Sequence, residues 1–392
     1  MRLQLATLLV LCGCPSPAGP FVGDLTFGPR DAADLCPDTT VVVGAVEIRG
    51  LDSLEPFDCL EAATELQLRE LDVDEVTLSQ LDVVDRLLTV RNSTHVRSVT
   101  FPRYTGGTGT PTGLGRGGGA ELSLLELPDL RQVVLPSAWA VRNFTAVGVG
   151  AADIDLRQSS LAAVHLERAP LTALRLPEGQ RLEQLTLTTL TEFDLDRIRG
   201  LQRVDSVHVR DTDTLEGGLP ARIAVRALAL EGVGVERISD VLPEVSTLTV
   251  RTAPQLRAID VPVESVTVQS IPSLVEIDSE LPLRHLSIVR ADALESLAGV
   301  RGAEQMDKLV LSGAPALTNL PDLGATRALV IPARDESPVL ELVDLPALTS
   351  LGGLMDLERI EGHVRIVRTG ITDAQIDAFV EQVEIDGQVR RF

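Results

Sequence analysis

The amino-acid sequence predicts a mainly β fold, a parallel β-solenoid of about 15 coils that ends in a short C-terminal capping helix. Two observations carry this prediction: a pair of aliphatic residues separated by one residue recurs along the chain, and apolar residues and prolines follow that pair at fixed distances. Of the 392 residues 44% are hydrophobic but only 3% are aromatic, so the apolar material is aliphatic. Such side chains favour thin, layered packing over a core built on large rings.

The aliphatic pair occurs fifteen times, with a typical spacing of a little over twenty residues. Alternation with a period of two places both aliphatic side chains on one side of a strand and the residue between them on the other. Each repeat therefore supplies one short strand, and its apolar side is covered only by neighbouring repeats. The pairs are Val46/Ile48, Leu66/Leu68, Leu88/Val90, Leu122/Leu124, Val147/Val149, Val164/Leu166, Leu185/Leu187, Val207/Val209, Leu228/Leu230, Leu248/Val250, Val266/Val268, Leu286/Ile288, Leu309/Leu311, Leu340/Leu342 and Val364/Ile366.

A second half of the motif follows the second aliphatic residue of each pair, which we call the anchor. In eight coils apolar residues stand six and nine positions after the anchor, as Leu256 and Ile259 do after Val250. In six coils a proline stands four positions after the anchor, where its missing N–H ends ladder pairing and turns the chain. These prolines predict a corner and are Pro128, Pro170, Pro254, Pro272, Pro315 and Pro346.

The N-terminal segment has the order of a secretory signal: a basic Arg2, an apolar run over 3–11 that is too short to span a bilayer, and a small Gly13. Leu11-Cys12-Gly13-Cys14 resembles a bacterial lipobox, in which cleavage leaves a lipidated cysteine at the new N-terminus. The resemblance implies a lipoprotein-type signal over 1–14 with lipid attached to Cys14; the alternative is a plain signal peptide, cleaved or uncleaved. Proline and glycine then predict a flexible linker over 15–35.

The solenoid is predicted to occupy 36–370, and a cap is predicted over 371–392. Thr372 and Gln375 match a capping box before a segment with helical spacing of apolar residues. We expect this amphipathic helix to cover the last open edge of the sheet.

The short strand, the turn and the apolar residues six and nine positions after the anchor resemble the leucine-rich-repeat superfamily. They resemble the receptor L-domain type of solenoid more closely, and the resemblance extends from about Cys36 to the end of the chain. The resemblance implies a right-handed parallel β-solenoid. The asparagine ladder of ordinary leucine-rich repeats is absent from the sequence, with Asn92 as an isolated candidate. These motifs are specific to the architecture and not to an activity.

Two cysteines fall at the start of the predicted solenoid. Cys36 and Cys59 lie 23 residues apart, close to one repeat, so we expect them at similar points on adjacent coils, whose spacing suits a disulfide. Receptor L-domains similarly place cysteines at the start, which supports this pairing. The alternative is two free buried thiols.

Composition and motifs argue against several classes of function. The net charge of −22 argues against a protein that wraps duplex nucleic acid, since phosphate contacts need a basic surface. The five histidines are dispersed and no two have i, i+4 spacing, so no metal site is predicted. No cofactor is predicted either, because the glycine pattern over 113–118 precedes a predicted strand and not a helix.

One candidate ligand site follows from the register. Arg49, Arg69 and Arg91 each stand one position after the anchor in three successive coils, so they should stack into a short basic row. Like charges one strand apart repel unless Glu47 and Glu65 nearby neutralise them or an anionic ligand does. Both versions remain open from the sequence.

The sequence thus predicts a non-catalytic lipoprotein of the bacterial cell envelope, at the outer membrane or cell surface, that serves as a protein- or glycan-binding repeat scaffold. Its expected partners are the membrane, through the lipid, and a protein or glycan ligand, but not nucleic acid. One alternative is a structural spacer without a ligand. Another is a polysaccharide-active β-helix enzyme, which would need several carboxylates and an arginine to converge in one groove.

Overall fold

The computed structural model describes residues 20–29, 40–107, 119–136, 138, 140–190, 192–194, 197–212, 214–216, 223–241, 245–279, 281–297, 299–321, 323–330 and 338–391. Over these residues the chain is mainly β and forms a parallel solenoid of about 15 turns. The predicted signal segment with Cys14, and Cys36, lie outside the described residues.

The strands are β1 (Phe21–Val22), β2 (Leu25–Phe27), β3 (Val41–Arg49), β4 (Ala62–Arg69), β5 (Glu75–Thr77), β6 (Val83–Arg91), β7 (Ser98–Thr100), β8 (Ala120–Leu127), β9 (Gln132–Val134), β10 (Val141–Val149), β11 (Asp153–Asp155), β12 (Ala163–Glu167), β13 (Ala173–Thr188), β14 (Glu192–Asp194), β15 (Ile198–Arg210), β16 (Thr214–Glu216), β17 (Ala224–Glu231), β18 (Val245–Arg251), β19 (Ala258–Ile259), β20 (Ser265–Gln269), β21 (Glu276–Ile277), β22 (His285–Val289), β23 (Gln305–Met306), β24 (Lys308–Ser312), β25 (Ala328–Val330), β26 (Leu340–Leu345), β27 (Arg359–Glu361), β28 (Val364–Thr369), β29 (Glu384–Ile385) and β30 (Val389–Arg391). The helix α1 spans Asp373–Gln382, and short 3-10 helices span Glu55–Phe57, Ile238–Asp240 and Gly352–Leu354.

The main sheet takes one strand from each coil, and all of its pairings from β3 to β30 are parallel. Fourteen of the fifteen predicted aliphatic pairs stand in one register along it. Their side chains are buried, and burying one such side chain contributes roughly 1.5–3 kcal/mol. The stacking of coils is therefore what creates the core.

The fifth coil departs from the predicted register. The inward pair of β10 is Phe144/Ala146, which lies opposite the inward pairs of the coils on either side. Val147 instead lies outward and is half-buried, and Val149 is the last residue of β10, opposite Leu127 in β8 and outside the inward pair. The prediction of Val147/Val149 was wrong because Val-Gly-Val also alternates apolar residues, and the corrected anchor restores spacings of 22 and 20 residues.

Each of these fifteen coils turns on one residue with a left-handed backbone, which directly follows the main strand in eleven coils and is its penultimate residue in the other four. It stands two positions after the anchor, and its φ lies between 47° and 68°. Only four of the fifteen are glycine, although this conformation costs an L residue about 1–2 kcal/mol. The backbone N–H still donates to the next coil, as from Gly50 to the Arg69 carbonyl at 3.1 Å. The fifteen residues are Gly50, Glu70, Asn92, Glu126, Gly148, Arg168, Thr189, Asp211, Gly232, Thr252, Ser270, Arg290, Gly313, Asp344 and Arg368.

The predicted proline corner is confirmed. Pro254 opens a tight turn in which the Leu256 N–H donates to the Ala253 carbonyl at 3.2 Å, and proline suits the second position of such a turn. The chain then follows a second face, where short strands pair from coil to coil. The apolar residues six and nine positions after the anchor, such as Leu256 and Ile259, are fully buried there.

Residues 20–29 belong to the solenoid, although the sequence assigns them to the linker. Strands β1 and β2 both pair in parallel with β3 and cover it from the N-terminal side. Phe27 is buried and meets Phe57 edge to face, with ring centroids 5.1 Å apart. The linker prediction was wrong for this stretch because two very short strands carry too little periodicity to stand out from proline and glycine.

The C-terminal helix is confirmed as α1, and so is its capping box. Thr372 Oγ1 accepts from the Gln375 backbone N–H, and Gln375 Oε1 accepts from the Thr372 backbone N–H at 2.9 Å. Among the described residues, no helix combines the length and the hydropathy that crossing a bilayer requires.

The helix does not, however, cover the last sheet edge. It lies on the preceding coil, where the Gln382 side-chain amide donates to the Met355 carbonyl at 2.5 Å, and β30 then pairs with β28 as the outermost strand of the main sheet. Arg390 and Arg391 occupy that strand. Charged side chains on an edge strand oppose further pairing, so charge protects the edge where a helix was expected.

Arginine side chains join neighbouring coils. The chain has 34 arginines and a single lysine, and many arginines bond a carboxylate one coil away. Arg181, for example, donates to Asp205 at 2.8 Å. The planar guanidinium suits such bonds better than an ammonium group, because it offers several donors in a fixed fork.

Candidate ligand-binding face

The outward side of the main sheet presents three columns of side chains. In each coil they are the residue before the first aliphatic residue, the residue between the pair and the residue after the anchor, which we call the left, middle and right columns. In β3 these are Ala45, Glu47 and Arg49. Neighbouring strands are about 4.8 Å apart, so residues of successive coils contact one another within each column.

Over ten successive coils the middle column carries no acidic or basic residue other than histidine. The left column is nearly as poor in charge over the same coils, where Glu121 is its one carboxylate. Charged residues make up 23% of the whole chain, and depletion of charge marks the centre of interaction surfaces. The ten middle-column residues are Thr89, Ser123, Thr145, His165, Thr186, His208, Ala229, Thr249, Thr267 and Ser287.

A shallow groove of about 590 Å³ lies on this face. It extends over five coils, along the middle column from His165 to Thr249 and along the right column beside it. Its floor includes Ala229, whose methyl group stands between the larger side chains of His208 and Thr249. The volume lies within the range of ligand sites in proteins.

Several polar groups of the groove are held by neighbours. Ser206 Oγ lies 2.7 Å from His208 Nε2, and Arg210 Nη2 donates to Glu231 Oε2 at 2.8 Å. The hydrogen bond from Arg210 to Glu231 raises the pKa of the Arg210 guanidinium above its ordinary value. These contacts fix the orientation of side chains that would face a ligand.

Arg251, at one end of the groove, is different. It is exposed, and its side chain makes no hydrogen bond or ion pair in the part of the chain that the structure describes. At the other end, His165 Nε2 lies 3.6 Å from Glu167 Oε2. The groove therefore combines hydroxyls, imidazoles and charged groups, and one guanidinium in it is fully available.

The predicted arginine row forms as expected from the register. Arg49, Arg69 and Arg91 lie opposite one another on β3, β4 and β6 in the right column. Arg69 Nε lies 2.6 Å from Glu47 Oε1, but Glu65 turns away to Arg86 at 3.0 Å. Of the two carboxylates that could neutralise the row, Glu47 contacts it and Glu65 does not, and whether the row binds a ligand remains a prediction.

Sequence reasoning missed the groove. Its depth depends on which residues of five separate coils become neighbours, and Ala229 stands out only when it is aligned with His208 and Thr249. The sequence does show one sign of it: Arg210, Glu231 and Arg251 alternate in charge from coil to coil in the right column, where neighbouring side chains can pair.

The condition for a polysaccharide-active enzyme is met only in part. The groove gathers the carboxylates Glu167 and Glu231 with Arg210 and Arg251. The two carboxylates stand three strands apart, about 14 Å between backbones, whereas acid pairs that cleave glycosidic bonds are separated by roughly 5–10 Å. The absence of catalysis stays a prediction.

Cysteine and metal chemistry lie mostly beyond what the structure describes. Cys59 is half-buried and engaged with a partner, but Cys36 lies outside the described residues, so their disulfide stays a prediction. Within the described ranges, no three His, Cys, Asp or Glu side chains are placed to hold a metal ion. His165 and His208 lie two strands apart with Thr186 between them.

Comparison with known proteins identifies no relative: the chain matches no protein-family profile, no curated protein and no solved structure.

Proposed function

We propose that the protein is a membrane-anchored extracytoplasmic lipoprotein of the bacterial cell envelope, and that the outward face of its main sheet binds a protein or glycan without catalysis. The observation that carries the binding role is the charge-depleted middle column over ten coils, with the groove in its centre. Although the chain has a net charge of −22, its acidic and basic side chains other than histidine lie outside the middle column over these ten coils, and a charge-poor centre is typical of an interface.

The anchoring part of the proposal is supported by the lipobox-like Leu11-Cys12-Gly13-Cys14. A diacyl anchor on Cys14 would tether the first coil close to a membrane and leave the rest of the solenoid free to meet a ligand. We take the coils to wind right-handedly, as connections between parallel strands almost always do.

The binding role is tested by filling the groove. Because Ala229 faces outward, Ala229→Trp obstructs the groove without entering the core. Thr267→Trp is the matched control, since Thr267 lies in the same column two strands away and does not line the groove. Each variant is immobilised and exposed to solubilised envelope from its native cells.

We expect wild type and Thr267→Trp to retain the same envelope component and Ala229→Trp to lose at least tenfold in retention. If both variants retain it equally, the groove is not the binding site. If wild type retains nothing above a blank matrix, the spacer role replaces the binding role.

The anchor is tested separately with Cys14→Ala. The proposal requires that wild type carry the mass of acyl chains on Cys14 and fractionate with membranes, and that the variant be released. If the wild-type protein is soluble and unmodified at Cys14, the lipid anchor is rejected. That result would not bear on the binding face.

A further inference from the structure

The arginine row holds more positive charge than its surroundings neutralise. Among the described residues Glu47 is the one carboxylate within ion-pair distance of Arg69, and Arg69 Nε and Glu47 Oε1 form no aligned hydrogen bond. In the described part of the chain, no carboxylate contacts Arg49 or Arg91. Within the described ranges the three guanidiniums thus share one carboxylate, although the net charge of the chain is −22.

Arg91 is the most informative member of the row. Its Nε is enclosed by protein and has no hydrogen-bond acceptor in the described part of the chain, and the whole side chain is only partly exposed. An enclosed donor without an acceptor costs free energy, roughly 1–3 kcal/mol and more when it is charged. An anionic ligand group that accepts hydrogen bonds from the exposed N–H groups of Arg91 would offset the electrostatic repulsion among the three arginines.

We propose that Arg49, Arg69 and Arg91 bind the carboxylate or phosphate groups of an acidic glycan. The inference rests on the proposed function and specifies its ligand. The row runs along the solenoid axis with a step of about 4.8 Å, so successive charged groups of a linear chain meet successive arginines. Gln67, half-exposed in the middle column beside the row, offers an amide to sugar hydroxyls.

A glycan fits the surroundings better than an anionic membrane. The overall charge of −22 repels an extended anionic surface, whereas a short glycan segment contacts only the locally positive row. Among the described residues, the exposed large apolar side chains are Phe21, Val22, Val275 and Met355, and none of them belongs to the row.

The test measures binding of an oligogalacturonate to the full-length chain by calorimetry, with a neutral malto-oligosaccharide of equal length as the comparison probe. The double variant Arg49→Gln/Arg91→Gln should weaken binding of the acidic probe about tenfold or more. Glu47→Gln removes the negative charge beside Arg69 and should tighten binding of the acidic probe about threefold. Arg257→Gln is the matched control, because Arg257 is an exposed arginine directly before β19, away from the outward face of the main sheet, and its side chain makes no hydrogen bond or ion pair with the residues that the structure describes.

Three results would overturn the inference. They are equal affinity of the double variant and wild type, an equal loss in Arg257→Gln, and preferential capture by phosphatidylglycerol vesicles over the oligogalacturonate. Tighter binding of the oligogalacturonate by Glu47→Gln cannot come from misfolding. The experiment therefore stays decisive even if the double variant is unstable. If the oligogalacturonate result overturns the inference but Ala229→Trp loses the envelope component, the proposed binding face is retained and only its acidic glycan ligand is rejected.

Discussion

Thr189 and Gly313 occupy the same position in their coils and share a left-handed backbone, with φ of 52° and 68°. Each donates its N–H to the next coil at 2.9 Å, to Arg210 and Val343 respectively. Glycine adopts this conformation freely, whereas a β-branched residue does so at a cost. The inter-coil ladder, and not the local sequence, therefore imposes the turn.

Thr189→Gly should raise the free energy of unfolding by up to about 1 kcal/mol, because it removes that strain at an exposed site. Gly313→Val should lower it by about 1–3 kcal/mol. A Cβ at Gly313 would meet Arg290 at an ordinary 3.5 Å, so the loss would come from strain and not from a clash. Denaturant unfolding measures both changes, with Thr267→Gly, in a regular strand, as a destabilising control. Equal losses in Thr189→Gly and Thr267→Gly would contradict the left-handed turn.

The corrected register of the fifth coil makes a second prediction. Val147 is outward, so Val147→Lys should cost less than about 1 kcal/mol and gain a cross-strand carboxylate in Glu167. Ala146 is fully buried, so Ala146→Lys should cost on the order of 3 kcal/mol or more and leave a charge without a partner. The two variants are compared by thermal unfolding. The opposite ranking would restore Val147 to the core.

Tyr104, the one tyrosine of the chain, is fully buried, and its hydroxyl has no hydrogen-bond partner among the residues that the structure describes. Burial raises the pKa of the Tyr104 hydroxyl well above its ordinary value. Because the folded pKa is the higher one, the associated stability is complete below about pH 10 and declines as the pH rises above that value. Tyr104→Phe should abolish this part of the alkaline decline and, at neutral pH, leave stability unchanged or higher by about 1 kcal/mol. A loss at neutral pH would reveal a partner for the hydroxyl.

Asp260 joins two neighbouring coils through hydrogen bonds. Its carboxylate accepts from the Ser239 N–H at 3.0 Å, from Ser239 Oγ at 2.7 Å and from Arg237 Nε at 2.8 Å. Burial alone would raise the pKa of Asp260, but the bonds from Ser239 and Arg237 outweigh it and the net pKa is lowered. The stability is therefore present above the unfolded pKa of about 4 and is lost as the pH falls through the lower folded value.

Asp260→Asn should accordingly lower the free energy of unfolding by about 1–2 kcal/mol at neutral pH, and the difference from wild type should shrink at pH values below about 4. Unfolding curves at a series of pH values measure it. A difference that persists unchanged into acid would mean that the ionised carboxylate is not what holds the coils together.

Much of the fold was predictable because one strand per coil repeats the same inward pair. Pro254 and Leu256 show why: a proline turn and a buried apolar residue follow each pair at fixed distances, so three signals reinforce one register. The prediction failed at Val147 because Gly148, the left-handed residue of its coil, separates two valines and so imitates the inward aliphatic pair. Aligning Gly50, Gly148 and Gly313 two places after the anchor would have corrected it.

The candidate site was predictable only where it depends on register. The arginine row follows from counting one residue past the anchor in three coils, so its positions could be derived. The choice made by Glu65, which pairs with Arg86 instead of the row, depends on side-chain geometry that spacing does not contain. The groove at Ala229 likewise exists only through the relative sizes of side chains on five coils.

The most direct test of the central claim is site-specific photo-crosslinking in native cells, with the reactive residue at Thr186 on the outward face of the main sheet or at Glu276 on the second face. Both positions are outside the core and belong to regular strands. We predict a discrete crosslinked product from Thr186 and none from Glu276. The same product from both positions, or none from Thr186, would contradict a binding role for the main-sheet face.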